Sequence, residues 1–236
     1  MFCVPFAGAG ASAFNGWSSA FPDTVELHAI QLPGRESRYP EPALSDAYEA
    51  AQLLADAIEP YLDRCYIFFG YSMGALLAFE IIRELRRRRA PMPAQLFVGA
   101  RRAPQLAATW PPLAQLPRET FLKLVSDYYD PPLAVWQNPD LLQIVLPVLR
   151  ADLALCQGYV YRHEPPFDFP IQAFAGLRDR SAPFSAVQAW REQTSGEFAL
   201  EVFNGAHFFL NSSLAGLQRV IISRLVHLIS DVRPQA

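Results

Sequence analysis

Apolar positions along this chain fall into two alternating patterns. Compact apolar runs at Phe2–Pro5, Val25–Leu32, Cys65–Phe69, Gln95–Gly99, Ile171–Gly176 and Phe198–Phe203 have the length and composition of strands. Between them lie longer stretches with apolar residues at helical spacing. Ser45–Leu62 places Ala47, Ala50, Ala51, Leu54 and Ile58 on one face, with Ser45 as the expected N-cap. Met73–Arg89, Ser185–Gln193 and Ser213–Ile229 read as further helices. Strands alternating with helices predict an α/β architecture: a mostly parallel sheet with helices on both faces.

The alternation stops at Pro104 and resumes after Asp168. The intervening stretch is rich in proline and aromatic residues, among them Trp110, Pro111, Pro112, Pro117, Tyr128, Tyr129, Pro131, Pro132 and Trp136. It has no convincing strand, and helical patterns occur near Arg118–Tyr128, Pro139–Leu146 and Pro147–Tyr159. A structureless loop of that length does not belong inside a compact domain. The expected organisation is a core built from residues 1–103 and 169–236, with a helical lid at 104–168.

Composition narrows the classes. Of 236 residues, 51% are apolar and 18% charged, which suits a buried core rather than a disordered chain. The net charge of −3 carries no broad basic field, so nucleic acid is not an expected partner. The three cysteines, Cys3, Cys65 and Cys156, are widely spaced and suggest neither a disulfide framework nor a metal site. Cys3 and Cys65, inside apolar runs, read as core residues. The apolar window Tyr66–Ile82 is too short and too interrupted to span a membrane. With no signal peptide legible, a cytoplasmic protein free of the membrane is expected.

The chemistry centres on Gly70-Tyr71-Ser72-Met73-Gly74. A strand runs directly into this motif and a helix leaves it, the setting of a nucleophile elbow. Gly70 and Gly74 would remove the Cβ atoms that collide in so sharp a turn. A helix N-cap serine is the plainer alternative. A serine nucleophile needs a base and an orienting acid, in the chain order Ser, Asp or Glu, His. Of the four histidines, His28 precedes the serine, His163 falls in the lid and His227 in the last helix. His207 follows the last strand, where open α/β sheets place their sites. Asp179 follows the strand Ile171–Gly176 and is preferred over Asp152, mid-helix in the lid, and Asp168, before the strand. A turn aspartate is its plainer reading; Arg178 and Arg180, if turned inward, would favour its charge. The oxyanion of acyl transfer needs two donors. The backbone N–H groups of Met73 and of Ala7, in the loop after the first strand, are the candidates. That loop, Ala7-Gly8-Ala9-Gly10, lacks the third glycine of a dinucleotide-binding turn, since Ala13 stands there.

With these pieces placed, the chain resembles the type II thioesterases, the editing enzymes of non-ribosomal peptide and polyketide synthesis, within the α/β-hydrolase superfamily. The likeness runs through Cys3-Val4-Pro5-Phe6-Ala7-Gly8, Gln31-Leu32-Pro33-Gly34-Arg35-Glu36, the elbow, Leu149-Arg150-Ala151-Asp152 and Gly205-Ala206-His207-Phe208-Phe209-Leu210. It implies an α/β-hydrolase fold and hydrolysis of acyl groups from the phosphopantetheine arm of a carrier protein. It implies Ser72 as nucleophile, His207 as base, Asp179 as orienting acid, and Ala7 and Met73 as oxyanion donors. It implies no cofactor and no metal, acyl or peptidyl carrier domains as partners, and a monomer. Two departures stand out. The opening loop lacks the family's paired glycines directly after the alanine, and Gln157 stands where a glutamate is common.

Arg35 and Glu36 read as a structural pair buttressing the loop, with contact to the substrate as the alternative. Arg86-Arg87-Arg88-Arg89 reads as a solvated helix end, with a docking patch for acidic carrier proteins as the sharper alternative. A carboxylic-ester hydrolase would use the same triad, and a non-catalytic acyl- or synthase-binding protein would not need it.

Overall fold

The computed structural model describes residues 1–107, 112–129, 131 and 137–232. Trp110, Pro111, Pro132 and Trp136 of the lid stretch lie outside them. Six strands, β1 (Phe2–Val4), β2 (His28–Ala29), β3 (Ile67–Tyr71), β4 (Gln95–Gly99), β5 (Ile171–Gly176) and β6 (Phe198–Phe203), form one sheet in the order β2-β1-β3-β4-β5-β6. Every neighbouring pair is parallel. The strand order reverses at β1, so the crevice beyond the C-terminal ends of β1 and β3 is the switch point where such sheets hold ligands.

The four inner strands, β1, β3, β4 and β5, are buried along their whole length and almost wholly apolar because both their faces are covered, while β2 and β6 are partly exposed edges. Phe2, Val4, Phe68, Leu96, Val98 and Ala173 face helices α1 (Ala47–Ile58) and α2 (Met73–Arg87). The alternate residues Cys3, Ile67, Phe69, Phe97 and Phe174 pack on Phe14, Trp17 and the closing helix. That last helix is the final one of five that complete the described fold: α3 (Arg118–Tyr129), α4 (Pro139–Gly158), α5 (Phe184–Gln188), α6 (Phe209–Ser212) and α7 (Leu214–Val232). Helices α3 and α4, between β4 and β5, share a small core of their own made by Leu113, Phe121, Val125, Leu149 and Leu153.

Several local expectations change. The second strand is two residues long rather than eight, and its partly exposed residues form the edge of the sheet. Asp46, not Ser45, caps α1; its carboxylate accepts the N–H groups of Tyr48 and Glu49, at 2.8 and 2.9 Å. One oxygen, Oδ1, serves both orphan donors of the first turn. Cys65 is exposed, just ahead of β3 rather than within it, while Cys3 is buried. The two helical segments expected on either side of Pro147 are one helix, α4, with the proline inside it. Among the described residues α4 is the one helix long and apolar enough, by length and composition, to cross a membrane. In the fold its apolar residues roof a cavity.

The arginine run is not a free basic patch. Arg86 and Arg87 pair with Glu164 at 2.7 and 2.6 Å, joined there by Arg83, while Arg88 reaches Asp56, Glu59 and Glu84. Tyr159 donates to Glu80 Oε1 at 2.6 Å, so the chain leaving α4 is tied to the helix that follows the elbow. Burial works to raise the Glu164 pKa, but hydrogen bonds from Arg86, Arg87 and Arg83 outweigh it and hold the carboxyl at about 2. A depressed native pKa supplies stability above the unfolded value, near 4.3, that is lost as pH falls towards 2. Glu164→Gln is therefore expected to flatten the loss of thermal stability between about pH 4.5 and 2. Melting curves across that range check it; parallel wild-type and variant profiles would contradict it.

Candidate active site

The strand β3 delivers the chain into a turn that only unusual backbone can make. Ser72 has φ 54° and ψ −114°, its N–H donates to Gly99 O at 2.8 Å, and α2 starts at the next residue. Strain of this kind costs about 1–3 kcal/mol and persists where the surroundings over-determine it. The two glycines of the motif are required by contact. A Cβ on Gly74 would lie 2.0 Å from Val4 O, and one on Gly70 would lie 2.3 Å from Gly74 O. The elbow is wedged against β1, which brings the loop after β1 to the serine.

His207 and Asp179 arrive from the ends of β6 and β5. His207 Nε2 lies 2.9 Å from Ser72 Oγ, and His207 Nδ1 lies 2.9 Å from Asp179 Oδ2. All three side chains are buried. The other Asp179 oxygen, Oδ1, accepts the N–H of Ser181 (2.8 Å), its hydroxyl (2.7 Å) and the N–H of Ala182 (3.1 Å). Burial alone would raise the Asp179 pKa. His207 and these donors outweigh it and hold the carboxyl below its ordinary value, so it is charged at neutral pH. Arg178 and Arg180 do not contribute as expected: both are exposed, and Arg178 bonds Asn204 instead.

Two residues join this constellation without having been singled out from the sequence. Ser181 Oγ is also 2.7 Å from His207 Nδ1. Tyr71, the second residue of the elbow motif, donates its hydroxyl to His207 O at 2.6 Å and accepts the N–H of Leu210 at 3.3 Å. Burial drives the Tyr71 pKa well up, so the phenol stays a neutral donor that pins the histidine loop. A serine two residues beyond the acid, and a tyrosine beside the nucleophile, were the only traces in the sequence. The other histidines stand elsewhere: His28 pairs with Glu26, His163 is exposed, and His227 bonds Ser223 O.

The loop after β1 turns tightly, with Ala9 N–H donating to Phe6 O at 3.1 Å and Gly8 at φ +80°. Ala7 and Ser72 share the wall of one cavity. Met73 opens α2, so its N–H has no partner within the helix and faces the helix N-terminal end. The segment Gln31–Glu36 lies behind the loop. Gln31 Oε1 accepts Ala11 N–H at 2.9 Å, and Glu36 accepts the Ser12 hydroxyl at 2.5 Å. Arg35 and Glu36 both buttress the loop, but not as a pair with each other. Arg35 forms a bidentate ion pair with Asp152 of α4, at 2.6 and 2.8 Å. Gln157 also has a place: its Oε1 accepts Leu113 N–H at 2.8 Å.

A cavity of about 530 Å³ opens at Ser72 and His207. Its walls are mainly apolar, with Phe6 and Phe208 on the sheet side and Tyr129, Val145, Val148 and Leu149 from α3 and α4. Tyr129 also sets the edge of its ring against His207, with centroids 4.9 Å apart. Among the described residues no group of three or more His, Cys, Asp or Glu converges as a metal site. The arrangement can move a proton from a hydroxyl through an imidazole next to a mainly apolar chamber.

Comparison with known proteins decides the class. The thioesterase domain profile matches residues 1–225. The chain belongs to the thioesterase domain family. This thioesterase is 40% identical over 213 residues to the gramicidin S biosynthesis protein GrsT of Aneurinibacillus migulanus, across 90% of this chain and 83% of GrsT. Its fold superposes on RedJ, a thioesterase of the prodiginine pathway in Streptomyces coelicolor, with a TM-score of 0.89 and 38% identity over 94% of this chain and 88% of RedJ. It also superposes on BorB, the type II thioesterase of the borrelidin cluster, with a TM-score of 0.83 and 29% identity over 94% and 88% of the two chains. The thioesterase has the α/β-hydrolase fold, and it is a hydrolase of thioesters.

Proposed function

We propose that this thioesterase is a type II, editing enzyme that removes aberrant or stalled acyl groups from the phosphopantetheine arm of carrier proteins in non-ribosomal peptide or polyketide biosynthesis. The observation that carries the reading is the likeness over nearly the whole chain to GrsT, RedJ and BorB, while the hydrogen-bonded series Ser72–His207–Asp179 at the mouth of an apolar chamber supplies the hydrolytic chemistry. Ser72 Oγ attacks the thioester carbonyl while His207 Nε2 takes its proton. Asp179 holds the imidazole with Nδ1 protonated and balances the charge it gains. The carbonyl oxygen, now negative, takes the N–H groups of Ala7 and Met73. The tetrahedral adduct collapses, the proton passes from His207 to the pantetheine sulfur, and the thiol leaves. Water, deprotonated by His207, then attacks the acyl-Ser72 ester and releases the acid. None of these steps calls for a cofactor.

The acyl group occupies the chamber beneath α3 and α4, and the arm enters from outside. On this reading residues 104–168 are the lid and the remainder the catalytic core. The enzyme works as a monomer in the cytoplasm, beside a synthase whose carrier domains are its partners. The arginine run of α2 is a poor docking patch, since Arg86, Arg87 and Arg88 already hold carboxylates.

The test compares one acyl group on three carriers: a carrier protein's phosphopantetheine, free pantetheine and a simple alcohol. The carrier-bound thioester is expected to give the highest kcat/KM, by at least about tenfold, or ~1.4 kcal/mol of added transition-state binding. A preference for the simple ester would replace this reading with that of a carboxylic-ester hydrolase.

A further inference from the structure

The buried ion pair between Arg35 and Asp152 stands beside the reaction centre without touching it. We propose that Asp152 is a positioning residue: from α4 it holds the oxyanion loop at Gly8 in its working shape, and Arg35 keeps its charge from opposing the reaction. The inference rests on the reading of Ala7 as an oxyanion donor.

The geometry is specific. Gly8 N–H donates to Asp152 Oδ2 at 2.7 Å across 144 residues of chain. Arg35 takes both Asp152 oxygens, and its Nη1 also donates to Ala9 O at 3.1 Å. The Arg35 Nε–H reaches Pro33 O at 3.3 Å. Both side chains are buried, at 6% and 1% exposure. The same face of α4 lies against the loop: a Cβ on Gly8 would sit 3.4 Å from Leu149 and 3.5 Å from Val145. One carboxylate thus gathers the loop, the segment behind it and α4.

Gly8 N–H belongs to the peptide unit that follows Ala7. Fixing where that N–H points fixes the orientation of the Ala7–Gly8 peptide plane, and so restricts the two Ala7 torsions through which the neighbouring Ala7 N–H is aimed towards the carbonyl held at Ser72. Oxyanion stabilisation depends on donors that are in place before charge develops. A buried ion pair adds little stability over an apolar pair of similar volume, because desolvation offsets the attraction. An apolar pair, however, has no acceptor for Gly8. A lone carboxylate there would accept the N–H but would repel the nearby oxyanion. Bidentate neutralisation by Arg35 removes that objection. Because the acceptor rides on α4, any displacement of that helix from the loop also releases the Gly8 N–H.

Two double variants separate the acceptor from the charge, and both avoid leaving one buried ion unpaired. Arg35→Met with Asp152→Leu removes charge and acceptor together. It is expected to lower kcat on an acyl-pantetheine by about tenfold to a hundredfold, with KM within about twofold. Affinity for an alkylboronic acid, which forms a tetrahedral anion on the serine, should fall in parallel, while affinity for the product carboxylic acid holds. Arg35→Gln with Asp152→Asn keeps a neutral acceptor and should restore kcat to within about threefold of the parent. Melting curves establish that each variant is folded. Parental kcat, or undiminished boronate affinity, in folded Arg35→Met/Asp152→Leu would overturn the proposal. Should that variant not fold, a hundredfold loss in folded Arg35→Gln/Asp152→Asn would overturn it instead. Ser72→Ala serves as the reference. If it still turns over, the reading of the whole site fails, whereas an inert Ser72→Ala beside a fully active double variant removes the positioning role alone.

Discussion

Ser72→Ala is expected to lower kcat on an acyl thioester by about 10⁴-fold or more, with no comparable change in melting temperature. The hydroxyl is the group that His207 Nε2 meets, at 2.9 Å, and losing it removes the covalent route entirely. What remains is water attacking a bound thioester, helped by the oxyanion donors. The fold should tolerate the change because the methyl fits where Cβ already sits. The backbone at φ 54° is no more strained for alanine than for serine. Steady-state turnover on an acyl-pantetheine, beside a thermal melt, decides it. A variant that keeps a tenth of the parental rate would remove Ser72 as the nucleophile. Mass spectrometry gives a second reading: the parent should accumulate an acyl adduct on Ser72 when deacylation is slow, and the variant should accumulate none.

Asp179→Asn should cost about 10²- to 10⁴-fold in kcat while leaving KM little changed. The carboxylate now receives His207 Nδ1–H, which leaves Nε2 bare to accept the serine proton. An amide NH₂ in its place turns Nδ1 into the acceptor and moves the ring proton to Nε2, where it faces Ser72 and blocks the reaction. Ser181 complicates the outcome in a useful way. Its hydroxyl, 2.7 Å from Nδ1, can accept the ring proton and preserve part of the productive tautomer. The loss in Asp179→Asn should therefore be smaller than the tautomer argument alone requires, and Ser181→Ala on that background should deepen it. Equal rates for Asp179→Asn with and without Ser181 would show that Ser181 has no such role. A near-parental rate for Asp179→Asn would show that Asp179 does not orient the base.

Much of this was legible in the chain. Consecutive apolar residues marked β3, β4 and β5 because strands buried on both faces show almost no polar alternation, and the half-exposed edge strand β6 was still apolar enough to read. Ser72, Asp179 and His207 could be nominated because each follows a strand, and parallel strands bring their C-terminal ends to one edge. Local competition defeated finer readings. Ser45 and Asp46 are both good caps, and only the backbone geometry selects between them. Pro147 looks like a helix boundary, yet α4 runs through it because packing on either side outweighs one missing N–H. Cys65 borrowed its apolar reading from its neighbours. The larger omissions were partners far apart in sequence. Nothing near Arg35 says that its counter-ion lies 117 residues later, and nothing in the string Arg86–Arg89 says that Glu164 will fold back onto it. Residue type declares that a charge needs a partner, while only the fold supplies the address.

The chamber wall has a kinetic consequence. Val145, Val148 and Leu149 offer a substrate contact area and very little refusal. An apolar wall grades acyl groups by length, at about 1–3 kcal/mol per methylene, but it has few polar groups with which to tell apart chains of similar size. A chamber of this kind sorts its guests by how much of the wall they cover, and two acyl groups of like bulk would meet the same reception whatever their origin.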